Sequence, residues 1–202
     1  MQMGHQRTQG LLVNAPKRMY QLQRLHVQDQ AARNSYSGIQ MTLFGGSSPL
    51  GSTLGGMLTR MGTQAIYPYR NTATLWDNRF KELKTTADLG YKTYMKLTDF
   101  TSEKECAFTL KDSNVVISCI GSHVWAKKDK DFEDANIKIP MAIAKAAKAS
   151  ADRGKVKRFI YISAAGADPN SHSRRLRTKW LGEQEVKEIY PQTMERIYES
   201  AR

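Results

Sequence analysis

Acidic residues are scarce in this chain of 202 residues: 19 Asp and Glu stand against 31 Lys and Arg, a formal net charge of +12. Such an imbalance favours an acidic partner, whether nucleic acid, an anionic membrane face or an acidic protein; alternatively it is a solvated basic face. Cysteine is nearly absent. Cys106 and Cys119 have neither C-x-x-C spacing nor a histidine cluster nearby, which argues for a reducing compartment and against a zinc site. His5, His26, His123 and His172 are scattered without ligand spacing. No apolar run approaches the roughly 18 residues needed to span a bilayer; the longest candidate, NVVISCIG at 114–121, has the length of a strand. Repeats and low-complexity tracts are also missing.

What is present suits one globular domain, with 40% hydrophobic and 25% charged residues. Residues 1–36 stand apart. Arg7, Lys17, Arg18, Arg24 and Arg33 face the single acid Asp29, which fits either a mitochondrial targeting segment or a retained arm lying on a partner. From residue 38 onward strand and helix patterns alternate. Strands are expected at 39–44, 64–69, 91–97, 114–120 and 158–163, and helices at 50–61, 101–110, 132–152 and 174–190. Leu50, Leu54 and Met57–Leu58 are spaced for one buried face, as are Ala135, Ile139, Ala142, Ala146 and Ala149, with Pro140 marking or kinking the early turns. A polar connection occupies 71–90, and residues 191–202 read as a tail. Alternation with apolar central strands predicts an α/β fold: a doubly wound parallel sheet with its ligand site at the carboxyl ends of the strands.

The first strand runs into Gly45-Gly46-Ser47-Ser48-Pro49-Leu50-Gly51 and opens a helix, the context of a dinucleotide loop of the G-x-x-G-x-x-G kind. Gly45 permits the turn, and Gly51 lets the helix sit against the sheet, helped by Gly55 and Gly56. Ser48 stands where glycine is expected. Its Cβ crowds the pyrophosphate approach, while its hydroxyl would compensate by donating to a phosphate oxygen. Pro49 suits the first helical turn but removes an amide donor. A plain Gly/Ser turn is the alternative. Arg70, with no acid beside it at the end of the second strand, points to the 2′-phosphate of NADP(H).

GIQMTLFGGSSPLG, RMGTQAIYPYR, the DLG at 88–90, SNVVISCIG, FEDANIKIP, VKRFIYIS and RLRTKWLGE follow one another in order. Together they resemble the short-chain-dehydrogenase-like accessory subunits of mitochondrial respiratory complex I, the alpha subcomplex subunit 9 family, over roughly residues 38–190. The resemblance implies a Rossmann-type NAD(P)-binding domain at 37–190, docked on the matrix arm at the inner membrane. It also implies a tightly bound NADPH and no turnover. Carried over by position, Gly45, Ser47, Ser48, Pro49 and Leu50 would line the pyrophosphate. Arg70 would face the 2′-phosphate and Asp99 the adenine. Ile120, Gly121 and Ser163 would border the ribose and nicotinamide, and Lys179 would reach the nicotinamide ribose.

Two departures from that pattern shape the expected function. Dehydrogenases of this superfamily use a Tyr-x-x-x-Lys pair, and here Lys179 is preceded four residues earlier by Arg175, which shuttles no proton near neutral pH. The carbonyl-polarising serine falls at Ala164, or at Ser163 with a one-residue slip. The second departure is the expectation of a sheet without a sixth strand or C-terminal substrate domain, whose last edge is capped by a partner. The basic stretch SHSRRLRTK at 171–179 suits anionic lipid or an acidic subunit; without interleaved aromatics, nucleic acid is not expected. The expectation is a non-catalytic subunit of complex I on the matrix side of the inner membrane. Its alternatives are an NADP-dependent atypical short-chain reductase and a basic organellar RNA-associated Rossmann protein.

Overall fold

The computed structural model describes residues 37–70, 92–122 and 128–191. The segment 1–36, the connection 71–90, Tyr91 at the expected start of the third strand and the tail from 192 onward lie outside the described residues.

Five parallel strands form one sheet: β1 (Gln40–Phe44), β2 (Gln64–Tyr69), β3 (Lys92–Lys96), β4 (Val115–Ser118) and β5 (Arg158–Tyr161), in the order β3-β2-β1-β4-β5. Met41 of β1 lies opposite Ala65 of β2 on one side and Val115 of β4 on the other. The chain thus steps outward from β1 to β3, then returns to build β4 and β5 on the opposite side. That reversal opens a crevice beyond the carboxyl ends of β1 and β4.

Alternation along β1 sends Met41 and Leu43 to one face and Thr42 and Phe44 to the other, so the sheet separates two cores. Thr42 is the polar member of the second face. Its hydroxyl donates to the Thr109 carbonyl at 2.9 Å and meets the Ser113 hydroxyl at 2.6 Å, which satisfies it without water. Helix α1 (Pro49–Arg60) covers the Met41/Leu43 face. Helices α2 (Glu103–Thr109), α4 (Ile139–Asp152) and α5 (Arg174–Ile189) carry the other core, with Phe44, Val116, Ile143 and Val186 at its centre.

Helix α1 departs from its expected orientation. Leu54 and Leu58 pack on the sheet, but Leu50 is 53% and Met57 58% exposed, and the buried face is made of Gly51, Ser52, Gly55, Gly56 and Thr59. Small residues go inward because the helix lies too close to the sheet for leucine. A Cβ on Gly55 would stand 2.6 Å from the Tyr67 hydroxyl. At Gly56, also expected to help this contact, nothing lies within 4 Å of such a Cβ.

The helix expected at 132–152 is three pieces: α3 (Asp129–Glu133), a π-helical turn (Asp134–Lys138) and α4. Pro140 has no N–H to offer the Asn136 carbonyl, so the ladder takes up an extra residue and the Ile139 amide bonds back to the Asp134 carbonyl instead. The expected buried stripe of α4 is present at Ile139, Ala142 and Ala146; Ile143, Ala144 and Ala147 are buried too, because α4 is wedged between α2, α5 and the sheet.

Candidate functional site

The loop joining β1 to α1 is held by backbone proximity. Gly45 has φ +81°, and a Cβ there would lie 2.8 Å from the Cys119 carbonyl carbon beyond β4. A Cβ on Gly51 would stand 2.2 Å from the Gly45 carbonyl oxygen. Gly45 therefore has the role the sequence assigned to it, whereas Gly51 makes its close contact with the loop rather than with the sheet. Ser48 does not act as expected. It is the N-cap of α1, with its Oγ accepting the Gly51 amide at 3.0 Å and donating to the Gly45 carbonyl at 2.8 Å. The hydroxyl expected to reach outward for a phosphate is turned into the loop.

Arg70 follows β2 directly, and Asp99 lies in the loop after β3. Asp99 accepts the Thr101 amide at 2.8 Å and the Thr101 hydroxyl at 2.7 Å. These bonds, with the Arg70 charge as a lesser cause, hold its carboxyl below the usual range. Arg70 was read as having no acid beside it in sequence; the Asp99 carboxylate, from the loop after β3, feels its charge only weakly. Both groups are exposed.

Across the crevice, Lys179 of α5 is 6% exposed and has its three donors spent. Its Nζ donates to the Ile120 carbonyl at 2.8 Å, the Ile162 carbonyl at 3.0 Å and the Tyr161 hydroxyl at 3.2 Å. The ammonium thereby ties the loops after β4 and β5 together, and lies 4.7 Å from the centre of the Tyr161 ring. Burial, with Arg175 adding repulsion, lowers the Lys179 pKa to about 8, against the opposing pull of Cys119 and Glu183. Gly121 passes over it: a Cβ there would meet the Lys179 Cε at 3.4 Å. Ser163 donates to the Glu183 carboxylate at 2.8 Å. Ile120, Gly121 and Lys179 are thus in contact, and Ser163, next to Ile162, turns its hydroxyl to Glu183.

Asn136, which sequence reading passed over, organises this side. Fully buried in the π turn, its Oδ1 accepts the Ser122 amide at 2.9 Å, and its Nδ2 donates to the Thr178 hydroxyl at 2.8 Å and the Ser122 hydroxyl at 3.1 Å. Its carbonyl oxygen would lie 1.8 Å from a Cβ on Gly182. The signal was in the sequence: a proline four residues after an asparagine inside an otherwise helical pattern. The basic stretch 171–179 is less free than it looked. Arg174 pairs with Asp129, and Arg177 donates to the His172 carbonyl at 3.1 Å.

A parallel 3-2-1-4-5 sheet with a glycine turn after β1 and helices on both faces is a Rossmann-type fold. Solved structures agree on the fold. UDP-glucuronic acid 4-epimerase from Bacillus cereus in complex with NAD aligns with TM-score 0.59 at 18% identity, over 75% of this chain and 51% of that one. A short-chain type dehydrogenase/reductase from Mycobacterium ulcerans aligns with TM-score 0.57 at 22% identity, over 72% and 58%. No family model matches the chain. In sequence it is homologous to mitochondrial NADH dehydrogenase [ubiquinone] 1 alpha subcomplex subunit 9. The mouse protein is 36% identical over 165 residues, which is 82% of this chain and 41% of that protein. The Neurospora crassa NADH-ubiquinone oxidoreductase 40 kDa subunit is 34% identical over 83% of this chain and 42% of its own length. The chain spans about two-fifths of the length of the curated relatives it matches.

Proposed function

We propose that the chain is a non-catalytic accessory subunit of the mitochondrial NADH:ubiquinone oxidoreductase complex, acting as a structural part on the matrix side of the inner membrane. The observation that carries this reading is its homology to subunits of that complex over four-fifths of its length. The site supports the same conclusion. Arg175 stands four residues before Lys179, where an acid–base tyrosine would be needed. The phenol that does meet Lys179 is Tyr161, 1% exposed and with its pKa pushed well up by burial, so it has no access to a substrate and holds its proton too tightly to act as an acid near neutral pH. This weighs against the reductase alternative.

The partners are other subunits of the complex, with acidic neighbours favoured by charge. The surface that suits them is not the 171–179 stretch but the amino end of β5, where Arg153, Lys155, Lys157 and Arg158 are all exposed. Among the described residues no helix is long and apolar enough to cross a membrane. A nicotinamide dinucleotide is the ligand such a cradle serves in the epimerase relative. The backbone shape at Gly45 and Gly51 and the charge of Arg70 support NADPH here, whereas the spent donors of Ser48 and Lys179 and the absent N–H of Pro49 do not fit it. The structural role needs no turnover. A tagged full chain expressed in its own cells should co-migrate with the complex on native gels, and its depletion should reduce the assembled complex. Migration as a free monomer while the complex lacks it would overturn the proposal.

A further inference from the structure

A helix N-terminus presents four amides without intrahelical acceptors, and a dinucleotide loop uses them for phosphate oxygens. In α1 these are the amides of Ser48, Pro49, Leu50 and Gly51. Ser48 N–H is bonded to the Gly45 carbonyl at 3.0 Å. Pro49 has no N–H. Gly51 N–H is taken by the Ser48 hydroxyl at 3.0 Å. Leu50 N–H alone has no protein acceptor among the described residues. The Ser48 hydroxyl proton is spent as well, on the Gly45 carbonyl at 2.8 Å. On the far side of the crevice, the Lys179 ammonium would have to surrender one of three short bonds to reach a ribose. The oxygen that caps this helix belongs to the protein.

We infer that the Gly45–Gly51 loop is a self-capped structural turn in which Ser48 takes the place of a ligand phosphate, so that this chain folds and serves its partners without a nicotinamide dinucleotide. Ser48 satisfies the helix end that a diphosphate satisfies elsewhere, and Pro49 presets the first turn while removing one donor from that helix end. The two residues act in the same direction. The loop keeps its glycines because the close contacts of Gly45 with Cys119 and of Gly51 with Gly45 persist whether or not anything binds.

The full chain should show no saturable binding of NADPH or NADH at concentrations up to about 1 mM by calorimetry, and no rise in Tm with either, since a ligand held by the native state raises stability with its concentration. Ser48→Gly with Pro49→Ala frees the Gly51 amide and restores one at 49; binding should tighten at least about tenfold, since charge-assisted amide–phosphate bonds are strong. Pro49→Ala alone retains the cap and should fall between, which covers the case where the double variant folds poorly. Stoichiometric NADPH released from the wild-type chain purified in its native assembly would overturn the inference. So would variants that bind no better than wild type, because the block would then lie elsewhere. Native-gel association of the same variants reads the proposed assembly role separately, and it should be unchanged by the loop substitutions.

Discussion

Lys179 shows how one buried charge can be both a staple and a liability. Its three bonds bind the loops after β4 and β5, yet burial lowers its pKa to about 8 from the ordinary 10.5. Below pH 8 the folded and unfolded chains both carry the proton, and the folded chain bears the desolvation. Between about 8 and 10.5 the unfolded chain retains a proton that the folded chain has shed, so this group makes stability rise with pH across that window. Lys179→Met should therefore make the slope of Tm against pH between 8 and 10 less positive than in wild type. Lys92, likewise lowered to about 8 by burial, contributes the same slope to both proteins and drops out of the difference. The thiols make a simpler case. Burial raises Cys106 to about 12 and Cys119 to about 11, leaving almost no thiolate at neutral pH. Iodoacetamide at pH 7.5 should modify neither in the native chain and both after unfolding in urea.

Among the elements, the junction between the π turn and α5 is the tightest point in the described structure. Pro140 releases the Asn136 carbonyl, and α5 passes directly over that oxygen through Gly182. Gly182→Ala should cost about 3 kcal/mol or more, since the atom in the way is backbone and cannot rotate aside. Gly56→Ala in α1 meets open space and should be neutral or stabilise by about 0.5–1 kcal/mol through reduced freedom of the unfolded chain. Urea midpoints of the two variants should move in opposite directions. Asn136→Ala would leave the Ser122 amide and the Thr178 hydroxyl without their buried partner, and should cost about 1–3 kcal/mol.

For the molecule as a whole, two ends of one sheet do different work. The carboxyl end carries the loop, Arg70 and Lys179, and there the polar groups of Ser48 and Lys179 are bonded within the protein. The amino end presents Arg153, Lys155, Lys157 and Arg158 to solvent within six residues. Exposed like charges in a cluster add little to folding, and they steer an acidic neighbour. Reversing two of them, Arg153→Glu with Lys157→Glu, should weaken incorporation into the complex several-fold on native gels while leaving the Tm within about 1 °C of wild type, and high salt should mimic the effect. An unchanged association would place the partner surface elsewhere.

Period and punctuation in the chain were enough to determine the class of fold. Apolar runs of strand length alternating with helical stripes fix a parallel sheet, and Gly45 and Gly51 mark where its loop turns, because local backbone geometry and the side-chain period are properties of neighbouring residues. The homology was legible for the same reason, in short ordered motifs such as FEDANIKIP. Tertiary structure alone decided the contacts between distant segments. That α1 buries glycines and exposes Leu50 and Met57 follows from how close the sheet comes. That Arg70 and Asp99 stand at the same end of the sheet follows from β3 lying next to β2. Ser48, Lys179 and Ser163 could each be named from the sequence as site residues, but the direction of a hydroxyl or an ammonium depends on which acceptors the fold brings within 3 Å, and here they are carbonyls and a carboxylate of the protein itself.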